Sequence, residues 1–293
     1  KNIRRNGQDS ETINTCYITD EGKHLVGIVS IRAIILAEED AVLSDIMEDN
    51  IISVNTLTDQ EEATAMIARY NFNVLPVVDG EQRLVGIITV DDALDVMEDE
   101  ATEDIEIMGG VTPVDKPYLR TAVLEFWKAR IPWLLLLMIG ATFTGMILNH
   151  FEDSLAAVTA LTLFIPMLMD TGGNSGSQAS VTVIRALSLG DIEFSDLAAV
   201  IWKEIRVAVL CGVSLSVVAF GKIMLVDHLL LGNSDVTIWV ALTVCITLAL
   251  VVLVAKLIGC TLPILADKLG LDPAVMSSPF ITTIVDALSL LIY

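Results

Sequence analysis

Three groups of residues have types and spacing that can do chemistry. The first is Asp170-Thr171-Gly172-Gly173-Asn174-Ser175-Gly176-Ser177-Gln178, a polar, glycine-rich stretch inside an apolar one. Backbone carbonyls, Asn and Asp without a neighbouring Lys or Arg are hard oxygen donors, suited to Mg2+ or Ca2+. In a membrane such a stretch survives only against protein or a wet cavity, because lipid satisfies no freed backbone group. Two readings stand side by side: a cation path, or a close helix crossing through small residues.

The second is Asp286, within Phe280-Ile281-Thr282-Thr283-Ile284-Val285-Asp286-Ala287-Leu288. An ionisable group in such surroundings costs at least ~2.5–3.5 kcal/mol and normally faces a cavity. Thr282 and Thr283 lie one turn before it and can bond freed carbonyls or solvent. The bland alternative for Asp286 is a salt bridge to Lys256 or a protonated acid. Asp272, just before Pro273, reads equally as an N-cap or a ligand. Asp170 reads as a helix-breaking partner within the glycine segment, and Lys256 as a chain snorkelling toward the cytosolic side.

The third is the run from Asp91 to Glu106, which holds nine acids and no base. Asp92, Asp95, Asp99 and Glu103 are spaced by three or four, so a helix would line them along one side. Two such charges at ~4 Å repel by about 4 kcal/mol at an effective dielectric near 20. A divalent ion between facing clusters reverses that term. The alternative is a solvated acidic face with no ligand. His24, His150 and His228 have no Cys or His partner at ligand spacing, which argues against zinc.

The elements that must position these groups follow from composition. The 293 residues are 54% hydrophobic, with a mean hydropathy of +0.67 and a net charge of −21. Those values conflict for one globular domain and agree for an acidic soluble part joined to a membrane part. Residues 1–110 hold 24 Asp/Glu and 7 Lys/Arg, whereas residues 111–293 hold 14 and 10. So acidic a surface excludes nucleic acid as a partner. Five apolar stretches, at about 131–150, 155–188, 197–226, 236–266 and 273–293, reach the ~20 residues that span a bilayer. Lys116, Arg120, Lys128, Arg130, Arg185, Lys203, Arg206 and Lys268 fall on one side of the alternation. That side is cytosolic, with the N-terminal part, and the C-terminus lies outside. The cysteines at 16, 211, 245 and 260 form no CxxC pair and read as reduced packing residues. Residues 1–10 carry no apolar signal core, so insertion depends on the later spans.

The soluble part contains a repeat. Cys16-Tyr17-Ile18-Thr19-Asp20-Glu21-Gly22 through Ser30 aligns with Leu75-Pro76-Val77-Val78-Asp79-Gly80-Glu81 through Thr89, an offset of 59 residues. Each copy reads strand, acidic-Gly turn, strand, helix. Ser44-Asp45-Ile46-Met47 opens one helix between them. Thr58-Asp59-Gln60-Glu61 opens another, with Thr58 as cap and Glu61 at the box position. The pattern resembles the paired cystathionine-β-synthase (CBS) module, with the beginning of the first copy missing, so the chain is expected to be truncated at its N-terminus.

The order of CBS pair, acidic connector and five spans is similar to that of the MgtE family of magnesium channels and transporters. The residues that carry the resemblance are Pro166 with Gly172-Gly173-Asn174-x-Gly176-x-Gln178, and Asp272-Pro273-Ala274 … Pro279-Phe280 … Thr282-Thr283 … Asp286. It covers nearly the whole chain. The resemblance implies a multidomain fold: an α/β CBS-domain pair (1–98), an acidic connecting or plug helix (99–129), and an all-α membrane domain of five transmembrane helices (130–293). It also implies a homodimer in the cell membrane, with a pore at the subunit interface lined by the second and fifth spans. The pore aspartate falls on Asp286, one copy from each subunit, with Asn174, Gly172, Gly173, Thr282 and Thr283 around it. Sensor acids carry over onto Asp59, Glu61, Asp92, Asp95, Glu100, Glu103, Asp104 and Asp272, so Mg2+ is both transported and regulatory. Mg2+ prefers octahedral oxygen at ~2.0–2.1 Å and dehydrates reluctantly, so such a pore holds it with its waters. CBS pairs often bind adenine nucleotides through an acid three residues after a Ser or Thr. Thr89 is followed by Asp92, but Ser30 is followed by Ala33, which leaves one ATP site at most.

Two other functions compete. A membrane-anchored nucleotide sensor without conduction would need neither Asp286 nor the polar glycine segment. A transporter of Co2+, Mn2+ or Ca2+ would need both, and an all-oxygen ligand set does not choose among hard ions. No nucleophile–base pair, Walker loop or metalloprotease motif points to an enzyme.

Overall fold

The structure, a computed structural model, describes residues 3, 7, 10–38, 40–114 and 116–293. The expectation about the beginning of the first CBS copy falls largely on residues outside these. The chain divides into two compact units, Lys1–Thr102 and Glu103–Tyr293.

In the first unit each repeat builds an antiparallel hairpin: β1 (Thr15–Thr19) with β2 (Leu25–Ser30), and β4 (Val74–Val78) with β5 (Leu84–Thr89). Their irregularities coincide. The register slips between Ile18 and Thr19 in one copy and between Val77 and Val78 in the other. Lys23 and Gln82 both adopt left-handed backbone (φ 66° and 63°), where each turn reverses. Asp20 accepts from His24 Nδ1 at 2.8 Å, and Asp79 accepts from Arg83 Nε at 2.8 Å. Both carboxyls are held below the usual carboxylate range, Asp20 first by the His24 ring bond, and Asp79 first by the backbone N–H of Arg83 (2.9 Å) and then by its guanidinium. The two turns then join each other, because Leu25 N donates to Gln82 O and Leu84 N donates to Lys23 O. The repeat therefore pairs about a local two-fold, as equal copies can.

Short helices α1 (Ile31–Leu36) and α2 (Leu43–Ile46) follow the first hairpin, and β3 (Val54–Asn55) runs parallel to β4. The amphipathic helix α3 (Gln60–Tyr70) covers that sheet and buries Ala63 and Ile67 beside Val54, Leu75 and Ala93. Its cap differs from the sequence expectation. Asp59, not Thr58, is the N-cap and accepts from Glu61 N at 2.9 Å, while Thr58 Oγ1 accepts from Asn55 N and closes the preceding turn. Both residues are good caps, and the turn geometry selects the later one. Helix α4 (Val90–Met108) carries the acidic run.

In the second unit the connector is helical only as far as Met108. Gly110, at φ 69°, ends α4, and a single 3-10 turn at Tyr118–Arg120 precedes α5 (Val123–His150). After α6 (Glu152–Ala157) come α7 (Ile165–Ser188), α8 (Leu197–Lys222) with a π-helical extension at Ile223–Leu230, α9 (Ile238–Lys268) and α10 (Ser278–Ile292). Helix α9 is the centre. It packs on α7, α8 and α10 and buries Val244, Leu248, Val251 and Val252 almost completely.

Among the described residues, four helical stretches are long and apolar enough to cross a membrane: Val123–His150, Phe194–Leu230, Ile238–Lys268 and Pro273–Ile292. The expected second span, 155–188, is not one helix: α6 ends at Ala157, a 3-10 segment covers Thr159–Phe164, and α7 supplies the rest. Its 24 residues reach ~36 Å at 1.5 Å per residue, enough for a bilayer core, but its composition is polar.

Asp59 offers a test that separates its two candidate roles. Asp59→Ala is expected to cost about 1 kcal/mol of stability through the lost cap, whereas Asp59→Asn keeps the cap and removes the charge. Thermal unfolding without Mg2+ should rank Ala below Asn and wild type. Equal destabilisation by both variants would contradict the cap assignment.

Candidate functional site

Helix α7 has two faces of opposite character. Gly172, Gly173, Ser175, Gly176, Ala179 and Ser180 are buried. A Cβ on Gly172 would sit 2.6 Å from Val251 Cγ1 of α9 and 2.9 Å from Val285 Cγ1 of α10. One on Gly173 would meet Thr282 Cγ2 at 2.8 Å, and one on Gly176 would meet Ile281 Cγ2 at 2.7 Å. Opposite, Gly259 of α9 lies against the Gly176 carbonyl. The glycines thus let α7 meet the backbone of α9 and receive side chains of α10 directly on its own backbone, the close-crossing arrangement of small residues in membranes. The segment is continuous helix, with no freed carbonyls of its own to offer an ion.

The other face is polar and exposed. Asp170, Asn174, Gln178 and Arg185 fall at i, i+4, i+8 and i+15, so they form one stripe along α7. The buried side of this helix thus makes the close crossing, and the opposite side leaves its polar groups exposed.

On α10, Asp286 is half-buried and follows Val285, the residue that faces Gly172 of α7. Thr282 and Thr283 donate to the carbonyls of Ser278 (2.6 Å) and Pro279 (3.0 Å), four residues back in their own helix. Their methyl groups pack on Gly173 of α7 and Gly140 of α5, respectively. Both therefore act on helix packing, and Thr283 is directed to α5 rather than α7.

Lys256 departs from expectation. It is 4% exposed, neither snorkels nor pairs with Asp286, and places Nζ 4.0 Å from Glu204 Oε2 of α8. With α7 and α8 both packed on α9, its side chain has no open route to an interface. Glu204 was not legible as its partner, because the two are 52 positions apart on different helices.

The expected sensor acids are engaged locally. Asp92 Oδ2 accepts from Thr89 Oγ1 at 2.7 Å, Glu100 Oε1 accepts from Gln60 Nε2 at 2.6 Å, and Asp59 caps α3. Asp95 and Glu103 are exposed on α4, Asp104 is half-buried there, and Glu61 is exposed in the first turn of α3. Asp272 is an N-cap, accepting from Ala274 N at 2.7 Å. Among the described residues no three His, Cys, Asp or Glu converge as a metal site within one chain.

Comparison with known proteins bears on both units. A family model described as "MgtE: Divalent cation transporter" matches residues 165–293, and a CBS domain model matches residues 43–99. The chain is 43% identical over 291 residues to the magnesium transporter MgtE of Thermus thermophilus, covering 99% of this chain and 63% of that protein. It is 38% identical over 284 residues to the magnesium transporter MgtE of Bacillus subtilis, covering 97% and 61%. The chain thus spans about three-fifths of the length of the curated relatives it matches. A crystal structure of the cytosolic domain of the Mg2+ channel MgtE in complex with ATP aligns with 32% of this chain and 38% of that one, at 49% identity and a TM-score of 0.32.

The glycine face carries a direct test. Gly172→Ala should destabilise the membrane unit by about 1–3 kcal/mol through overpacking against Val251 and Val285. Gly221→Ala, at a helical position with nothing within 4 Å, should be neutral or slightly stabilising. Detergent unfolding of the two variants checks this, and equal effects would contradict the close approach.

Proposed function

The chain belongs to the MgtE family, and on that premise we propose that it carries Mg2+ across a membrane through a path lined by α7 and α10. The observation that carries the reading is the exposed polar stripe of Asp170, Asn174 and Gln178 on α7, the helix packed on the α10 that bears Asp286. Lipid hydrogen-bonds none of these groups, so the stripe must face water or protein. A homodimer about this face satisfies that need by setting two stripes opposite each other. In it α7 is the second of five spans, with the first unit cytosolic and the C-terminus outside.

The chemistry follows from the groups available. Asp286 and Asp170 from two copies supply four carboxylates, whose mutual repulsion favours a divalent cation. Asn174 adds an uncharged oxygen. These groups suit Mg2+ with its waters retained, because the hydrated ion needs spaced acceptors rather than a tight cage. Co2+, Mn2+ and Ca2+ are the competing substrates.

Regulation is assigned to the acids of α3 and α4. Since no three converge among the described residues of one chain, a regulatory Mg2+ would bridge clusters brought together as the path closes, relieving their repulsion. Asp59, Glu61, Asp92, Asp95, Glu100, Glu103, Asp104 and Asp272 are the candidates. Several weak sites together supply the ~5.5 kcal/mol that a near-complete two-state switch needs. ATP is confined to at most one site, around Thr89 and Asp92.

The test is ion flux into liposomes holding wild-type, Asp286→Asn or Asp286→Ala protein. Wild type should pass Mg2+, and each variant should lose at least about tenfold of the rate, or ~1.4 kcal/mol of barrier. Unchanged flux in the variants overturns the path assignment. A nucleotide-dependent response without any flux would favour the sensor reading. Neutralising Asp95, Glu100 and Glu103 together should weaken closure by Mg2+ without lowering maximal flux.

A further inference from the structure

The carbonyl end of α4 leaves one backbone group that only another helix reaches. A helix has four C-terminal carbonyls without intrahelical partners. In α4 the Ile105 carbonyl accepts from Gly109 N at 3.0 Å, Glu106 from Val111 N at 2.9 Å, and Ile107 from Gly110 N at 2.8 Å. This is a C-cap in which Gly110 supplies the left-handed residue. The fourth, Met108 O, accepts instead from Ser277 Oγ at 3.0 Å, a bond between residues 169 positions apart.

Ser277 is the N-cap residue of α10 and is 1% exposed. Serine at that position ordinarily turns its oxygen onto the backbone N–H groups of its own first turn. Here it makes no such bond. Its hydroxyl joins the end of one helix to the start of another. Two further contacts hold the same junction. A Cβ on Gly110 would approach Pro279 Cγ to 3.2 Å, so the α4 terminus rests directly on the first turn of α10. Ser180 Oγ donates to Met276 O at 2.6 Å and Ser278 Oγ donates to Ser177 Oγ at 3.0 Å, which pins this segment to α7. Asp286 lies nine residues beyond Ser277, ~14 Å along the helix.

We infer that Ser277 is a positioning residue for transport: its bond to the Met108 carbonyl transmits displacement of the acidic helix α4 to α10, and thereby to Asp286. This rests on the transport reading above and adds to it the physical connection by which acids on α4 act on the membrane path. An α4 drawn by ions on its acidic face pulls its carbonyl end, and the buried bond carries that pull into the helix bearing the carboxylate. Ser277 touches no ion itself.

The test is current or flux through membrane patches holding the full chain, with Mg2+ titrated at the face carrying the first unit. Ser277→Ala should move the Mg2+ midpoint for closure upward by about three- to tenfold, the equivalent of one net hydrogen bond. Maximal flux at low Mg2+ and preference among divalent ions should stay within about twofold of wild type. Ser277→Thr keeps the hydroxyl and should restore the midpoint. A conducting wild type with an unchanged midpoint in Ser277→Ala overturns this inference alone. A parallel fall in maximal flux, unrescued by Thr, also overturns it, since that is the mark of a structural role only. A wild type that carries no Mg2+ overturns the transport reading and this inference with it. Hydrogen exchange on wild type needs no variant to fold: Mg2+ should change protection at 109–112 and 277–281 together, and a change at one segment without the other rejects the coupling.

Discussion

The Gly176 carbonyl lies against Gly259, and from this contact between α7 and α9 the arrangement of the membrane unit follows. Because both positions lack a side chain, the two helices meet at backbone separation. Gly172 and Gly173 extend the same closeness to α10. Dispersion and weak backbone contacts, rather than a hydrophobic driving force, must supply cohesion between helices in lipid, and both fall steeply with distance. Once the small-residue face of α7 is committed to α9 and α10, helical geometry dictates what the opposite face does. Asp170, Asn174 and Gln178 are left on the exposed side of α7, a surface that lipid cannot hydrogen-bond. Packing and polarity are therefore one design.

Two buried polar connections complete the frame. Lys256 and Glu204 set one charge pair between α9 and α8, where removing either partner leaves the other uncompensated at about 3–5 kcal/mol. The serines at 177, 180, 277 and 278 tie the start of α10 to α7 and to the end of α4. Hydrogen bonds in such a setting fix position more than they add net stability, since their unpaired alternatives are costly.

Much of this was legible in the chain. The 59-residue repeat predicted two hairpins, and even their register slips, left-handed turn residues and the side-chain bonds Asp20–His24 and Asp79–Arg83 recur at equivalent positions. Apolar length located the four helices able to cross a membrane, near 131–150, 197–226, 236–266 and 273–293. Pattern reports which face is buried but not what it meets. Glu204 for Lys256 and Met108 for Ser277 are pairings set by tertiary packing, so a lone Lys read as snorkelling and a serine before Pro279 carried no signal. Asp59 and Thr58 are near-equal caps by type, and only the turn at Asn55 separates them. The connector between 109 and 122 is short of helix because Gly110 terminates α4, a signal that composition alone obscured.

The central claim is that the polar stripe of α7 borders water in the membrane, and cysteine accessibility measures this directly. Asn174→Cys and Gln178→Cys, placed in native-like membranes, should react with a charged, membrane-impermeant thiol reagent well above the background of Cys16, Cys211, Cys245 and Cys260. Millimolar Mg2+ should slow that reaction. Val217→Cys, on the exposed apolar side of α8, should stay unreactive. If the two stripe positions are as inert as Val217→Cys, the stripe does not face water, and the account of a cation path along α7 is wrong.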